Sequence, residues 1–237
     1  EIMIRLFMKP MSMRILHITA CDSHKQQVQK LAALENAYYK ITWNKGMLQL
    51  KDKTTGRILE DFLYVEDGGD EGDTYDYSWP TRDRIYKLRF QNAKAELQSG
   101  DIADILTLRG TWLLPQSLQE RESDQCTQEL SYELQLQLDH KDLIRCELHV
   151  NNTAAEHRMR VICRGLSSSD SSIADTPFGT IRRKHDPKHM DDWREAGYRE
   201  EPSPIYPFLH HVSNGDGPIL TCFSKGIKEY EILRHTD

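Results

Sequence analysis

The chain has 237 residues and a formal charge of -6, from 31 Lys and Arg against 37 Asp and Glu. This balance argues against a nucleic-acid partner held through phosphate contacts, because no net positive field attracts the phosphate backbone. Apolar residues make up 38% of the chain, enough for a sizeable core. No apolar run approaches the roughly 20 residues that a membrane-spanning helix needs.

The N-terminus and the cysteines both favour a cytoplasmic protein. The chain begins at Glu1, and no basic segment followed by an apolar stretch indicates a signal peptide. The cysteines are odd in number and far apart, and no C-x-x-C pair indicates a zinc site. We therefore expect reduced cysteines that act as small apolar core residues. They are Cys21, Cys126, Cys146, Cys163 and Cys222.

Alternating apolar and polar residues dominate the first third of the chain. A strand is predicted over residues 14–19, and residues 38–43, 47–50 and 58–65 predict a series of short hairpins. Residues 23–34 place Val28, Leu31 and Leu34 roughly on one face, which predicts a short helix or a linker.

The clearest strand signal is the segment 129–138, which alternates strictly over ten residues. Its apolar residues would line one face of a strand, whereas on a helix they would be scattered around the cylinder. Further strands are predicted over residues 86–90, 95–98, 102–114, 143–150 and 157–163.

Two long regions, residues 66–83 and 167–207, lack this alternation and are predicted to be loops. About ten strands joined by short turns favour an all-β fold, an antiparallel β-sandwich. We expect the sandwich domain to span residues 34–237. Residues 1–33 are expected to form a linker or a leading β segment with the short helix.

The first of these loops combines acidic and aromatic residues. Asp67, Asp70 and Asp73 have a D-x-x-D-x-x-D spacing that could supply oxygen ligands to calcium, but the offsets of an EF-hand are missing. Alternatively, Tyr and Trp rings could stack on a sugar while carboxylates accept hydrogen bonds from its hydroxyl groups. A solvated acidic loop folded over the end of the sandwich fits the same residues, and the composition does not separate these readings.

The histidines give no clear metal or catalytic signal. His185 and His189 have a ligand-like spacing, but Pro187 makes a helix between them unfavourable. His210 and His211 would point to opposite faces of a strand. His157, at the start of a predicted strand, is expected to be structural. The sequence contains no G-x-S-x-G, H-E-x-x-H, P-loop or G-x-G-x-x-G motif.

Several phrases of the sequence, in order, resemble the C-terminal β region of glycoside hydrolase family 38, the α-mannosidases, most closely its bacterial members. The most specific is YVEDGGDEGDTYDY at residues 64–77. The others lie at residues 34–41, 44–57, 151–161, 174–183, 193–195, 204–207 and 226–231. Together they extend over nearly all of residues 34–233.

The resemblance implies a supersandwich of the galactose-mutarotase type. Members of this family hydrolyse terminal α-mannosidic bonds with retention, using an aspartate nucleophile and a zinc ion. Those residues belong to an N-terminal domain and a helical segment that nothing in this chain matches. The resemblance therefore implies a fragment without catalytic residues, metal ligands or a cofactor of its own. Such a fragment is expected to be inactive alone and to have the catalytic domain of the same parent chain as its partner.

The β region of the family contributes some side chains to substrate binding. By position, Tyr75, Tyr77, Trp79 and Arg182, with Arg183 as the alternative to Arg182, are the candidates for contacts with an α-mannoside. These loops could instead only pack on the missing domain, which would leave an exposed apolar patch and favour self-association.

Two other functions stay open. The chain could be a stand-alone carbohydrate-binding module, or a hydrolase that uses Asp70 and Asp73 as its carboxylate pair.

Overall fold

The computed structural model describes residues 4, 6–17, 19, 33–73, 75, 77–165, 169–184, 192–199, 203–215 and 220–233. Strands account for about 47% of the structure and helix for about 3%, in antiparallel sheets, so the predicted all-β sandwich class is confirmed. The chain divides into two compact units, Glu1–Arg164 and Gly165–Asp237. No helix in the described ranges is long and apolar enough to span a membrane.

The first unit contains three antiparallel sheets and one short helix. In chain order its elements are β1 (Ala33–Glu35), β2 (Tyr39–Asn44), β3 (Met47–Asp52), β4 (Ile58–Leu59), β5 (Leu63–Gly69), β6 (Tyr86–Leu88), β7 (Lys94–Gln98), β8 (Ala103–Leu114), α1 (Leu118–Glu122), β9 (Gln128–Asp139), β10 (Ile144–Val150) and β11 (His157–Cys163). The strand orders are β1-β2-β3-β4, β10-β9-β8-β7 and β11-β5-β6.

The core of the first unit depends on the alternation predicted for residues 129–138. Leu134, Leu136 and their apolar neighbours in β9 are buried, and they pack in one cluster with apolar residues of the other sheets. β9 pairs with β8 over twelve residues and with β10 over seven. Burial of these side chains stabilises the unit by roughly 1.5–3 kcal/mol for each large apolar residue.

Strand β5 differs from β9 because all seven of its residues are buried. It lies between β11 and β6, so its backbone groups are paired on both sides. Leu63 and Val65 belong to the apolar core, whereas Glu66 and Asp67 are buried polar residues. The predicted loop over residues 66–83 is therefore wrong for its first four residues, which are strand.

The second unit is built from short strands, and the loop predicted over residues 167–207 is wrong for the strands inside it. Its strands are β12 (Ser171–Thr176), β13 (Gly179–Lys184), β14 (Tyr206–Pro207), β15 (His211–Asn214), β16 (Thr221–Phe223) and β17 (Glu229–Tyr230), and the first three lie inside the predicted loop. One sheet has the order β13-β12-β15-β16, and β14 pairs with β17. Ala174 and Phe208 are buried in this unit.

Three local predictions differ from the structure or fall outside it. Residues 14–17 and 19 are irregular rather than strand. Most of the predicted helix over residues 23–34 lies outside the described residues, and its last two residues belong to β1. Helix α1 has no counterpart in the sequence prediction, because five residues are too few to show a helical period.

Replacing Leu134 by alanine tests the contribution of the β9 face. Leu134 has no exposed surface, so Leu134→Ala should lower the free energy of unfolding by about 2–5 kcal/mol through lost burial and a residual cavity. Urea denaturation measures the change. Ser131→Ala, at an exposed position of the same strand, should change it by about 0.5 kcal/mol or less. Equal effects of the two variants would contradict this assignment of the core face.

Candidate functional site

A buried ion network lies at the base of the acidic and aromatic segment. Asp67 of β5 has no exposed surface, Arg121 of α1 is 2% exposed, and the side chain of His157 at the start of β11 is 3% exposed. The two carboxylate oxygens of Asp67 accept hydrogen bonds from different partners: Oδ1 from Arg121 Nη2 and Oδ2 from His157 Nδ1. A buried carboxylate with two such donors replaces the hydration that it loses on folding.

The other ends of the Arg121 and His157 side chains are also held. Nε2 of His157 lies 2.9 Å from Asn152 Oδ1, which also accepts the backbone N–H of Ala154 at 3.2 Å. Arg121 Nη1 donates to the carbonyl oxygen of Arg84 at 2.7 Å. The expectation that His157 is structural agrees with this geometry.

Helix α1 is short, and its start is fixed by polar contacts. Ser117 is the N-cap, and its hydroxyl oxygen accepts the backbone N–H of Glu120 at 3.5 Å. The carboxylate of Glu156, next to His157, accepts the backbone N–H of Leu118 at 3.0 Å. These contacts hold Arg121 in position to reach Asp67.

Gly69 allows the helix and the loop to approach β5 closely. A Cβ atom at this position would come within 2.7 Å of Pro80 Cγ, 3.0 Å of Leu118 Cδ2 and 3.1 Å of Arg121 Cδ. The backbone N–H of Gly69 donates to Asp83 Oδ1 at 2.8 Å, which ties the far end of the loop to the strand. A larger residue would separate these parts.

The loop between Gly69 and Asp83 is closed by its own hydrogen bonds, and we call residues 70–83 the acidic aromatic loop. Asp70 donates its backbone N–H to the carbonyl oxygen of Glu156 at 3.0 Å. Its Oδ1 accepts the N–H groups of Gly72 and Ser78 at 2.9 and 3.3 Å. Glu71 N–H donates to the Ser78 carbonyl oxygen at 3.0 Å.

These contacts exclude a calcium site formed together by Asp67, Asp70 and Asp73, because one of the three carboxylates already has other partners. Asp67 is enclosed by Arg121 and His157, so it cannot join Asp70 and Asp73 around an ion. Asp70 and Asp73 each accept backbone N–H groups of the loop, Asp73 from Tyr75 at 2.7 Å. Within the described ranges no group of three or more His, Cys, Asp or Glu is placed to hold a metal ion.

Two of the predicted sugar-contacting aromatics are in contact with each other. The rings of Tyr77 and Trp79 are nearly perpendicular, with centroids 5.0 Å apart. The Arg158 guanidinium of β11 lies over the Tyr77 ring at 4.5 Å. Burial raises the pKa of Tyr77, and this outweighs the opposing effect of Arg158, so its hydroxyl group is neutral. Trp79 is 52% exposed.

The other two predicted site residues have different local contacts. Tyr75 is 90% exposed, and its backbone, rather than its ring, is held by Asp73. Arg182 belongs to β13 of the second unit, where its Nη1 donates to Ser171 Oγ at 3.0 Å. Arg183, its alternative, stacks over Tyr206 at 4.9 Å and donates to Tyr230 Oη at 3.2 Å.

Sequence reasoning missed a polar row on the face of β5 opposite the core. Glu66 pairs in register with Arg160 of β11 and with Lys87 of β6. Arg160 Nη2 donates to Glu66 Oε2 at 3.1 Å, and Lys87 lies over the Tyr64 ring at 5.6 Å. The sequence did contain a signal for this row: residues 157–160 alternate, and this alternation puts Arg158 and Arg160 on one face of β11.

Asp175 of β12 organises the two adjacent histidines of the second unit. Its carboxylate accepts the backbone N–H groups of Leu209, His210 and His211, and it lies 2.9 Å from His210 Nδ1 and 3.8 Å from His211 Nδ1. The prediction that the two rings point to opposite faces applied to a strand through both residues, and this condition is not met because only His211 belongs to β15. His185 and His189 lie outside the described residues.

No family model matches this sequence, and no curated protein matches it. Solved structures do. An alpha-mannosidase from Enterococcus faecalis V583 has a TM-score of 0.68 and 22% identity, and the match covers 87% of this chain and 25% of that chain. A protein in the glycosyl hydrolase family 38 from Enterococcus faecalis has a TM-score of 0.67 and 20% identity, over 91% of this chain and 26% of that chain.

The predicted resemblance is therefore confirmed at the level of the fold. The chain spans about a quarter of the length of the solved structures that it matches. At this identity the likeness carries the architecture and not the chemistry of individual residues.

Removing one member of the buried network tests its energetic role. Arg121→Met leaves the Asp67 carboxylate buried beside His157 alone, and should lower the free energy of unfolding by about 3–5 kcal/mol. Arg109→Met is the matched control, because Arg109 pairs with Glu96 and Glu133 at an exposed site and should cost about 1 kcal/mol or less. Urea denaturation of both variants measures the difference, and similar losses would refute the special role of Asp67.

Asp175 gives a pH prediction for the second unit. Burial alone would raise the pKa of Asp175, but hydrogen bonds from the backbone of His210 and His211 and from the His210 ring hold it well below its ordinary value. A lowered pKa in the folded state means that this carboxylate stabilises the unit fully above the ordinary aspartate pKa of about 3.9, and that the stabilisation is lost as the pH falls through the lower folded value.

The amide proton signals of His210 and His211 report on Asp175 directly, since both N–H groups donate to its carboxylate. Titrated by NMR from about pH 5 downward, they should begin to move only well below the ordinary aspartate pKa. In Asp175→Asn the same signals should lose this titration. A midpoint at the ordinary aspartate value would contradict the prediction.

Proposed function

We propose that this chain is the non-catalytic C-terminal β-sandwich region of an α-mannosidase of glycoside hydrolase family 38. The parent enzyme would act in mannose metabolism and hydrolyse terminal α-mannosidic bonds with retention. The observation that carries this proposal is the likeness of 87–91% of the chain to a quarter of two larger chains whose names give that activity or family.

The chemistry of the reaction would be carried by another part of the parent. A zinc ion and an aspartate nucleophile are proposed for its N-terminal catalytic domain, which would be the intramolecular partner of this chain. The described side chains do not fit a zinc site, because no three potential ligands come together among them. We assign no catalytic residue to this chain.

The contribution proposed for this chain is substrate contact. Trp79 offers an exposed ring held against Tyr77, and this arrangement suits the apolar face of a sugar. Tyr75 is exposed enough to contact a ligand as well. Arg182 is proposed to donate to a sugar hydroxyl or to a charged group on the substrate.

A stand-alone carbohydrate-binding module is the second candidate. The exposed Trp79 favours it, since an exposed indole ring held in place is a sugar-stacking surface without any partner domain. The two candidates differ in whether this chain needs the rest of an enzyme to act on or bind a mannoside.

Two further parts of the proposal concern the surroundings of the protein. We propose a cytoplasmic location because the cysteines of this chain are odd in number and widely spaced. We also propose that the chain self-associates when it is isolated, because Phe178, Phe223 and Ile227 are large apolar residues exposed on the second unit.

A chimera tests the proposed function. In the Enterococcus faecalis alpha-mannosidase, the matched quarter is replaced by this chain, and turnover of an aryl α-mannoside is compared with that of an enzyme lacking the quarter. We expect turnover by the chimera, and none by the isolated chain with or without zinc, because the chain would shape but not perform the reaction.

Two controls separate the candidates. Turnover by the isolated chain would contradict the non-catalytic assignment. Titration calorimetry of the isolated chain with mannosides measures the alternative: binding at micromolar affinity without any partner domain would favour the stand-alone module.

A further inference from the structure

Arg158 stands out among the arginines of the first unit. Its guanidinium carries five N–H donors in a planar fork, and among the described residues it lies over the face of the Tyr77 ring at 4.5 Å. Within the described ranges, no carboxylate oxygen lies within 4 Å of it. Arg160, two residues along β11, is by contrast paired with Glu66 at 3.1 Å.

The sheet leaves room around this side chain. Arg158 pairs in register with Gly68, which has no side chain, whereas Arg160 faces Glu66. The space beside Gly68 holds Ile85 Cδ1 and Asp83 Oδ2, which would lie 2.8 and 3.1 Å from a Cβ atom there. Asp83 Oδ2 is itself a buried acceptor with no hydrogen-bond partner among the described residues. A guanidinium without acceptors therefore stands on the same face of the strand pair as an unused carboxylate oxygen.

Tyr77 connects Arg158 to the exposed ring of Trp79. Both lie within 5.0 Å of the Tyr77 ring centroid, one as a stacked cation and the other edge to face. Tyr77 is half-buried and fixes both neighbours. An exposed indole next to a preorganised planar donor matches a ligand with one apolar face and several hydroxyl groups at its edge.

We propose that Trp79, Tyr77 and Arg158 form a saccharide platform in which a sugar ring stacks on Trp79 and two of its hydroxyl groups accept hydrogen bonds from Arg158. This inference rests on the proposed function and adds Arg158 as a ligand-contacting residue. Tyr77 is a positioning residue, because it acts through the two side chains that it holds.

The sugar is the ligand that these observations favour over a free anion. Asp83 Oδ2 lies beside Gly68, the residue that Arg158 faces across the strand pair, so a negative charge stands near the guanidinium. Hydroxyl groups can accept from the guanidinium without carrying a negative charge, whereas a phosphate ion would be repelled by the nearby Asp83 carboxylate.

The test follows two NMR signals of the 237-residue chain, the Trp79 indole N–H and the Arg158 Nε–H, during titration with methyl α-mannoside. Both should shift along one binding curve. Arg158→Lys keeps a cation on the Tyr77 ring but loses the planar set of guanidinium N–H donors. The affinity of this variant for methyl α-mannoside should therefore fall about tenfold, the equivalent of one or two hydrogen bonds. Arg145→Lys, at an exposed position of β10, is the matched control and should bind like the original chain.

Each remaining outcome overturns the platform. If the Trp79 signal shifts, the Arg158 signal does not, and Arg158→Lys binds normally, then Arg158 is not part of the platform. The proposed function is unaffected by that result. A response of Arg158 to inorganic phosphate but not to the mannoside makes it an anion site. No response of either signal at saturating mannoside removes the platform as a whole, while the chimera still decides the proposed function independently. Thermal unfolding of Arg158→Lys checks that a lost response does not come from a lost fold.

Discussion

The carboxylate of Asp67 is the point on which the first unit and its candidate site depend. A fully buried aspartate without partners would cost several kcal/mol, so the strand that carries it can exist only where donors reach both oxygens. Arg121 and His157 supply those donors from a helix and a strand that are distant in sequence. Three elements are therefore fixed relative to one another by a single side chain, which is a geometric constraint more than a net gain in stability.

The consequence of that constraint is a loop with fixed ends. Arg121 also donates to the carbonyl oxygen of Arg84, which directly follows the loop. Gly69, which directly precedes the loop, donates its backbone N–H to the Asp83 carboxylate. With both ends tied to the same network, Asp70 adds hydrogen bonds inside the loop, from the N–H groups of Gly72 and Ser78. A surface that is ordered before binding loses less conformational entropy when a ligand arrives, which suits weak contacts to a sugar.

How much the sequence could predict differs sharply between strands. β9 follows from alternation alone, since it has one buried face and the period of two is visible in its residues. β11 was also predicted from alternation, although its residues are only partly buried or exposed. β5 could not be predicted in full, because its polar residues are buried through tertiary pairing and its two glycines are typical of turns. The composition of residues 66–69 predicted a loop, whereas pairing with β11 along all four residues, and with β6 at Glu66 and Asp67, makes them part of a strand.

The same distinction applies to the candidate site. Tyr77 and Trp79 were found because aromatic residues in an acidic segment are visible in sequence, but Arg158 lies about eighty residues further on and meets them only because β11 pairs with β5. Asp83 reaches that face for a similar reason, through a loop whose two ends are tied to one network. A resemblance in sequence order can therefore indicate which segments of the fold surround a ligand. Which of their side chains come together follows only from the pairing of the strands, and that pairing is what brings Arg158 of β11 to the ring of Tyr77.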